Sequence, residues 1–269
     1  MPNFEYYEDV KIIKKPMKKQ LKVILIFFLT IVIFASVFFI STFLSDALSV
    51  GNISNRLVYG DTKITRKAHN YYAVTLGEYN DFNEATAVAT GSTIRGASGY
   101  VWQDGSYFVI GSIYQNYNDA NSVLENIKNN GYTVNVKEIQ IPKINVSLDN
   151  YESKEVKLVS KALDFIDNTI TTLYGYSVSF DKSETNNFAI SSAVSSLRGD
   201  CKTHISNLQA LSRNSFVQET QNALIKLDEN LNSTVLKTID NSTTNYSLKN
   251  AIAIAVRIKY DLYNKLSSV

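Results

Sequence analysis

The feature that most constrains this chain is a run without charge. Val23 to Leu44 reads VILIFFLTIVIFASVFFISTFL, 22 positions with no Asp, Glu, Lys or Arg. At 1.5 Å per residue a helix of that length is roughly 33 Å long, enough to cross a hydrocarbon core of about 30 Å. Its Thr and Ser hydroxyls can bond back to the helix backbone, which makes them tolerable in lipid. A cleaved signal peptide has a shorter apolar core followed by a small-x-small site. Ser45-Asp46-Ala47 matches that site poorly, so an uncleaved transmembrane helix over 23–44 is expected. Six lysines (Lys11, Lys14, Lys15, Lys18, Lys19, Lys22) precede the run, and the next basic residue after it is Arg56. Positive charge stays inside. Residues 1–22 are therefore expected to be a cytoplasmic tail, and everything after 44 to lie outside the cytoplasm of a single-pass cell-membrane protein.

The remaining composition excludes several classes. A net charge of +2 is too small for a nucleic-acid binder. A single cysteine, Cys201, cannot form an internal disulfide, and two histidines are few for metal or His-based chemistry. Nothing in the sequence asks for a cofactor.

Residues 45–69 hold Gly51, Asn52, Gly60 and Asp61 among scattered apolar positions and read as a linker. Beyond it lies an internal repeat. Ala73-Val74-Thr75-Leu76-Gly77 followed by Asp81-Phe82-Asn83-Glu84-Ala85 returns as Tyr107-Phe108-Val109-Ile110-Gly111 followed by Asn116-Tyr117-Asn118-Asp119-Ala120. The offset is 34 residues at the glycines and 35 at the alanines. Each copy is a period-2 strand, a polar turn with Asp81 or Asn116 as helix N-cap, a helix, and a further strand at 99–103 or 132–141. The expected inward faces of the helices are Ala85, Val88 and Ala89, and Ala120, Val123, Leu124 and Ile127.

Two units of about 35 residues cannot each bury a core. Together they predict an α+β domain over 70–142: β-α-β-β-α-β, an antiparallel four-stranded sheet with two helices on one face. Strand parity then assigns Val74, Leu76, Phe108, Ile110, Val134 and Val136 to the helix face. Ala73, Thr75, Tyr107, Val109, Thr133, Asn135 and Lys137 fall on an open face. Trp102 is either a sugar platform beside that face or a half-buried hairpin residue before the turn Gln103-Asp104-Gly105-Ser106.

This arrangement resembles the SPOR (sporulation-related repeat) domain, a peptidoglycan-binding module. The resemblance is carried by Tyr72 to Tyr79, the helix with Glu84-Ala85, Gly105 to Gly111, the helix with Asp119-Ala120, and Gly131 to Val136. It implies binding of peptide-poor glycan strands on the open sheet face, with Thr75, Trp102, Tyr107, Val109, Thr133 and Asn135 as the glycan-binding set. The family usually has Gln where this chain has Thr75, Ser where it has Glu78 and Arg where it has Tyr107.

Residues 153–269 show helical periodicity throughout. Four apolar stripes run from Val156 to Leu173, Ile190 to Leu208, Leu224 to Ile239 and Leu248 to Leu266. They predict an antiparallel bundle of three or four helices with no recognisable motif. Cys201 and His204 stand i, i+3, but Cys201 lies in an apolar stripe and reads as a small buried residue. Asp104 and Glu78 read as solvated turn charges rather than the paired acids of a glycosidase. No enzyme is expected. The expected function is a membrane-anchored, extracytoplasmic peptidoglycan-binding protein acting in cell division or in envelope or spore processes. Residues 153–269 would recruit a division or cell-wall enzyme. The alternative is a structural protein–protein subunit of such a complex that binds no glycan.

Overall fold

The computed structural model describes residues 62–129, 134–149, 151–211 and 214–267. The expected tail, membrane span and most of the expected linker lie outside these residues. Among the described residues no helix is long and apolar enough to cross a membrane. The fold is α+β, with six helices and two antiparallel sheets among the described residues.

The expected linker ends earlier than residue 69. Strand β1 (Lys63–Arg66) pairs antiparallel with β6 (Ile144–Ser147), forming a two-stranded ribbon. Ile64 and Ile144 are fully buried beneath it. The repeat region follows as β2 (His69–Tyr79), α1 (Phe82–Thr93), β3 (Tyr100–Asp104), β4 (Ser106–Tyr114), α2 (Tyr117–Asn129) and β5 (Asn135–Ile141). The sheet order is β3-β4-β2-β5, every neighbouring pair antiparallel, which is the split β-α-β arrangement. Both N-caps act as expected. Asp81 Oδ1 accepts from Glu84 N at 2.9 Å, and Asn116 Oδ1 accepts from Asp119 N at 2.9 Å. The β3–β4 hairpin turns at Gly105, whose φ of 73° suits glycine.

The parity of β4 departs from the expectation. Ala73 faces Ile113 and Thr75 faces Ile110, so two steps on β2 match three on β4, with the extra residue at Gly111. Lower down, Thr75 to Glu78 on β2 matches Ile110 to Phe108 on β4, which puts an extra residue on β2. Each bulge shifts the side-chain alternation. As a result Tyr107 and Val109 point to the helices, with Val109 buried against Ala85 and Ala89. Phe108 and Ile110 point to the opposite face. A side chain at Gly111 would press on Leu76 and on the Val74 carbonyl, both 3.3 Å from the Cβ position.

The C-terminal region is a four-helix bundle: α3 (Ser153–Asp181), α4 (Asn187–Gln209), α5 (Ser215–Lys237) and α6 (Asn241–Ser267). Cross-links between ends give the directions. Asn187 at the start of α4 donates to the Ile239 carbonyl just past α5, Asn245 near the start of α6 bonds Asp181 at the end of α3, and Lys265 near the end of α6 pairs with Glu219 near the start of α5. Consecutive helices are antiparallel, as short loops require.

The middle of helix α6 is apolar nearly all round. The run Ala251-Ile252-Ala253-Ile254-Ala255-Val256 buries five of its six residues, and Ile258, Leu262, Tyr263 and Leu266 are buried further along. A helix buried on every side needs two partners. One is the rest of the bundle. The other is the sheet face opposite α1 and α2. Tyr71, Ala73, Trp102, Ile110, Ile113, Ile139 and Ile141 belong to the same hydrophobic core as the bundle. Asn250 donates to the Ser98 carbonyl at 2.9 Å and Arg257 to the Gln103 carbonyl at 2.8 Å, fastening α6 along β3. The face expected to be open is largely covered.

Candidate functional site

Between α6 and this sheet face a groove of about 630 Å3 stays open to solvent. Its sheet side is β5, contributing Lys137 and Ile139, together with Trp102 and Asp104 of β3. Its helix side is Tyr260 and Asn264 of α6. Lys137 is on the face that parity assigned to it. Its Nζ lies 3.0 Å from Asp104 Oδ2 and 3.7 Å above the centre of the Phe108 ring. It thus reaches from the β5 edge of the sheet to the β3 edge, and an ion pair and a cation–π contact hold it there. Asn70 and Glu138, bonded to each other, and Gln140 add amide and carboxylate groups to the rim.

The expected glycan-binding residues are only partly brought together. Asn135 is exposed on the expected face. Thr75 shares that face but is 4 % exposed, and its hydroxyl donates to the Asn135 carbonyl at 3.2 Å, so it shapes the strand pair and presents no free hydroxyl. Tyr107 and Val109 are on the other side of the sheet. Tyr107 leans edge-on against Phe82 of α1 at 5.5 Å between ring centres. Thr133 lies outside the described residues. Trp102, at 1 % exposure, is neither an open platform nor a half-buried hairpin residue. Its ring is held edge-to-face by Tyr260 at 5.4 Å, with the Arg257 guanidinium 4.9 Å from the ring centre. It forms the floor of the groove.

Tyr260 is the aromatic residue that sequence reasoning missed. It is half-buried, borders the groove and stands on Trp102. The available signal was its place on the last helix outside the Leu248–Leu266 stripe, where an aromatic ring gains nothing from solvent. An amphipathic ring of this kind, backed by a cation and beside amide groups, suits a ligand with apolar ring faces and hydroxyl edges.

Beside the groove, the sheet and bundle meet through buried charge. Lys259 is 1 % exposed. Its Nζ lies 2.6 Å from Asp167 Oδ1, 2.7 Å from His69 Nε2 and 3.4 Å from the Tyr71 hydroxyl. Arg66, equally enclosed, donates to Asp164 Oδ1 at 2.9 Å, and to the Ser160 carbonyl and hydroxyl at 2.9 and 3.0 Å. A charged ammonium 2.7 Å from Nε2 requires that nitrogen to accept, so His69 is neutral. Burial, and then the Lys259 charge, lower its pKa to about 4. His69, the last residue of the expected linker, is therefore tied into the fold. Burial also lowers the Lys259 pKa, against the raising effect of Asp167, and pushes the Tyr71 and Tyr263 phenols well above their ordinary value. This cluster, its two cations buried and its carboxylates partly exposed, acts as a joint.

The other sequence candidates are inert. Cys201 is fully buried, its thiol donates to the Leu224 carbonyl at 3.3 Å, and burial raises its pKa to about 12. His204 stacks on Phe165 at 4.8 Å. Ser106 donates to Glu78, across the hairpin from the groove's Asp104–Lys137 pair. Among the described residues no three His, Cys, Asp or Glu side chains are placed to hold a metal ion. Compared with protein-family models, curated proteins and solved structures, the chain matches none.

Proposed function

We propose that this chain is a membrane-anchored, extracytoplasmic protein that binds peptide-poor peptidoglycan strands without cleaving them. In this reading the contact site is narrower than the sheet face: it is the groove at its margin. The observation that carries the reading is the Tyr260 ring set above Trp102 beside Lys137, Asn70 and Gln140, an aromatic surface next to hydrogen-bonding groups. The uncharged run Val23–Leu44 supports it: in this reading it anchors the chain and keeps a weakly binding groove near the wall at high effective concentration.

The test is co-sedimentation of the full-length chain in nanodiscs with purified sacculi, with and without amidase pretreatment. Amidase treatment is expected to increase binding, and Tyr260→Ala to weaken it several-fold while leaving the helical circular dichroism intact. Absence of co-sedimentation at low salt, or binding indifferent to Tyr260→Ala, would falsify the glycan reading. The topology is tested separately with a reporter active only outside the cytoplasm. Fused after Val269 it is expected to be active; activity from an N-terminal fusion instead overturns the orientation.

A second reading, a protein–protein subunit of a division or sporulation complex, is favoured by a different observation. Phe188, Leu236 and Ile239 are 82 %, 64 % and 65 % exposed at one corner of the bundle, where α4 begins and α5 ends. Exposed apolar residues gathered in this way mark interaction surfaces. A Phe188→Ser, Ile239→Ser double variant that abolishes function in cells while keeping sacculus binding would favour this reading.

A further inference from the structure

Helix α6 is tied to the sheet in two places, and the ties differ in kind. Along β3, Asn250 and Arg257 donate to the main-chain carbonyls of Ser98 and Gln103. Neither donor changes charge in the acid range. At β2 the tie is Lys259 Nζ, 2.7 Å from His69 Nε2. Both residues adjoin the walls of the groove. Ala68 and Asn70 flank His69 on the sheet side, and Tyr260 follows Lys259 on the helix side. We propose that the His69–Lys259 contact is an acid-sensitive latch that sets the spacing of the groove walls, with the β3 ties as its hinge. As regulation of ligand binding it rests on the glycan reading; as a movement of the walls it stands on the groove alone.

The latch depends on one lone pair. An ammonium only donates, so Nε2 must accept, and a protonated imidazole has no acceptor left. Protonation sets two cationic donors 2.7 Å apart, and the contact must part. The groups around the ring decide which side moves. Lys259 of α6 is held by Asp167 of α3 at 2.6 Å, and Arg66 of β1 by Asp164 of α3 at 2.9 Å. Tyr71 of β2 and Tyr263 of α6 are phenols that burial keeps neutral. Each carboxylate of the cluster thus already faces a cation, and Lys259 stays with Asp167 while His69 gives way. His69 is the first residue of β2 and pairs with Ile141, the last of β5, so it stands at the end of that ladder. Ile141 itself lines the groove. His69 is only half-buried, so protons reach it. Its pKa of about 4 places the release in acid. Displacing this end of the sheet from α6 widens the groove beside Tyr260 and loosens the cover over Trp102.

The first measurement needs no ligand. Trp102 is the chain's one tryptophan and is 1 % exposed against Tyr260. Acrylamide quenching of its fluorescence, in the full-length chain in nanodiscs, therefore reports opening of the groove as pH is lowered. The quenching constant is expected to rise at least about three-fold with a midpoint near pH 4, while the helical circular dichroism persists. Two variants remove the clash from opposite sides. His69→Gln still accepts from Lys259 but takes no proton, and Lys259→Met leaves no ammonium to oppose a charged His69. Both are expected to abolish the quenching transition. An unchanged transition in both variants overturns the latch. So does a transition that coincides with loss of the helical signal, or quenching that does not respond to pH. The second measurement is co-sedimentation with amidase-treated sacculi. Binding by the unmodified chain is expected to fall several-fold between neutral pH and pH 4, and binding by His69→Gln to fall less. An equal fall in both overturns control of binding by the latch. A quenching transition that His69→Gln abolishes, with no sedimentation at any pH, overturns the glycan reading and leaves the latch standing.

Discussion

The two faces of the four-stranded sheet are made from the same strands, yet they are packed on different scales. Under α1 the core is small: Ala85, Ala89 and Val109, rimmed by Leu76, Tyr79, Val88, Val101 and Tyr107. On the other face the sheet contributes Tyr71, Ala73, Trp102, Ile110 and Ile139 to a core that runs without a break into the four-helix bundle. Alanines bring α1 close to the strands and leave little to remove. Aromatic and branched residues on the opposite face demand a large partner, and α6 is that partner. A sheet face that strand parity alone leaves open becomes an internal layer here.

The sharpest way to break this comparison is to hollow out the large core. Trp102→Ala is expected to cost about 3–5 kcal/mol, because a fully buried indole is removed from a site fixed on both sides. Urea unfolding followed by circular dichroism measures it. A cost below about 1 kcal/mol would mean that α6 does not truly seal that face.

Acid probes the polar part of the same interface. The folded pKa of His69 is about 4, against an ordinary value of 6.5. Between those values the unfolded chain binds the extra proton, so stability rises with pH across the window. It is fully present above pH 6.5 and lost as pH falls to 4. The half-buried ring limits the effect to the order of 2–3 kcal/mol. His69→Gln, which can still accept from Lys259, is expected to flatten stability between pH 6.5 and 4. An unchanged slope in that variant would assign it to other groups.

The small core responds in the opposite sense, to added volume rather than removed volume. Ala85→Leu is expected to destabilise by roughly 1–3 kcal/mol, since fully buried Ala85 packs with Val109 and a larger side chain must lift α1. Thermal unfolding that matches the unmodified chain would mean that the helix face is looser than described. The smallest effect distinguishes the faces by function. Tyr107→Ala, on the helix face, is expected to lower stability by roughly 1 kcal/mol through loss of its contact with Phe82, and to leave sacculus binding unchanged. Weakened binding would return the ligand to a face that Tyr107 does not share with the groove.

Much of this fold was legible in advance, for identifiable reasons. The repeat, the N-caps at Asp81 and Asn116, the hairpin at Gly105 and the four helical stripes are local signals, and each is found in place. The site was less legible. Thr75, Asn135 and Lys137 were assigned to the correct face because β2 and β5 pair in simple register. Tyr107 and Val109 were not, because the alternation on β4 is shifted by the bulge at Gly111, and a bulge depends on the partner strand. His69 looked like a linker residue because its partner, Lys259, is 190 positions away.

By itself, then, the sequence determined the elements, their order and the chemistry each face carries, because periodicity, capping and turn preference act over a few residues. It also held the apolar run Ala251–Val256, which marks the middle of α6 as buried on nearly every side. Only the tertiary structure decided which surface α6 covers, since both the sheet and the bundle offered it an apolar face. That choice buried Trp102, paired Lys259 with Asp167 and His69, and set Tyr260 over Trp102 at the groove. These contacts join residues far apart in the chain, and no local preference specifies them.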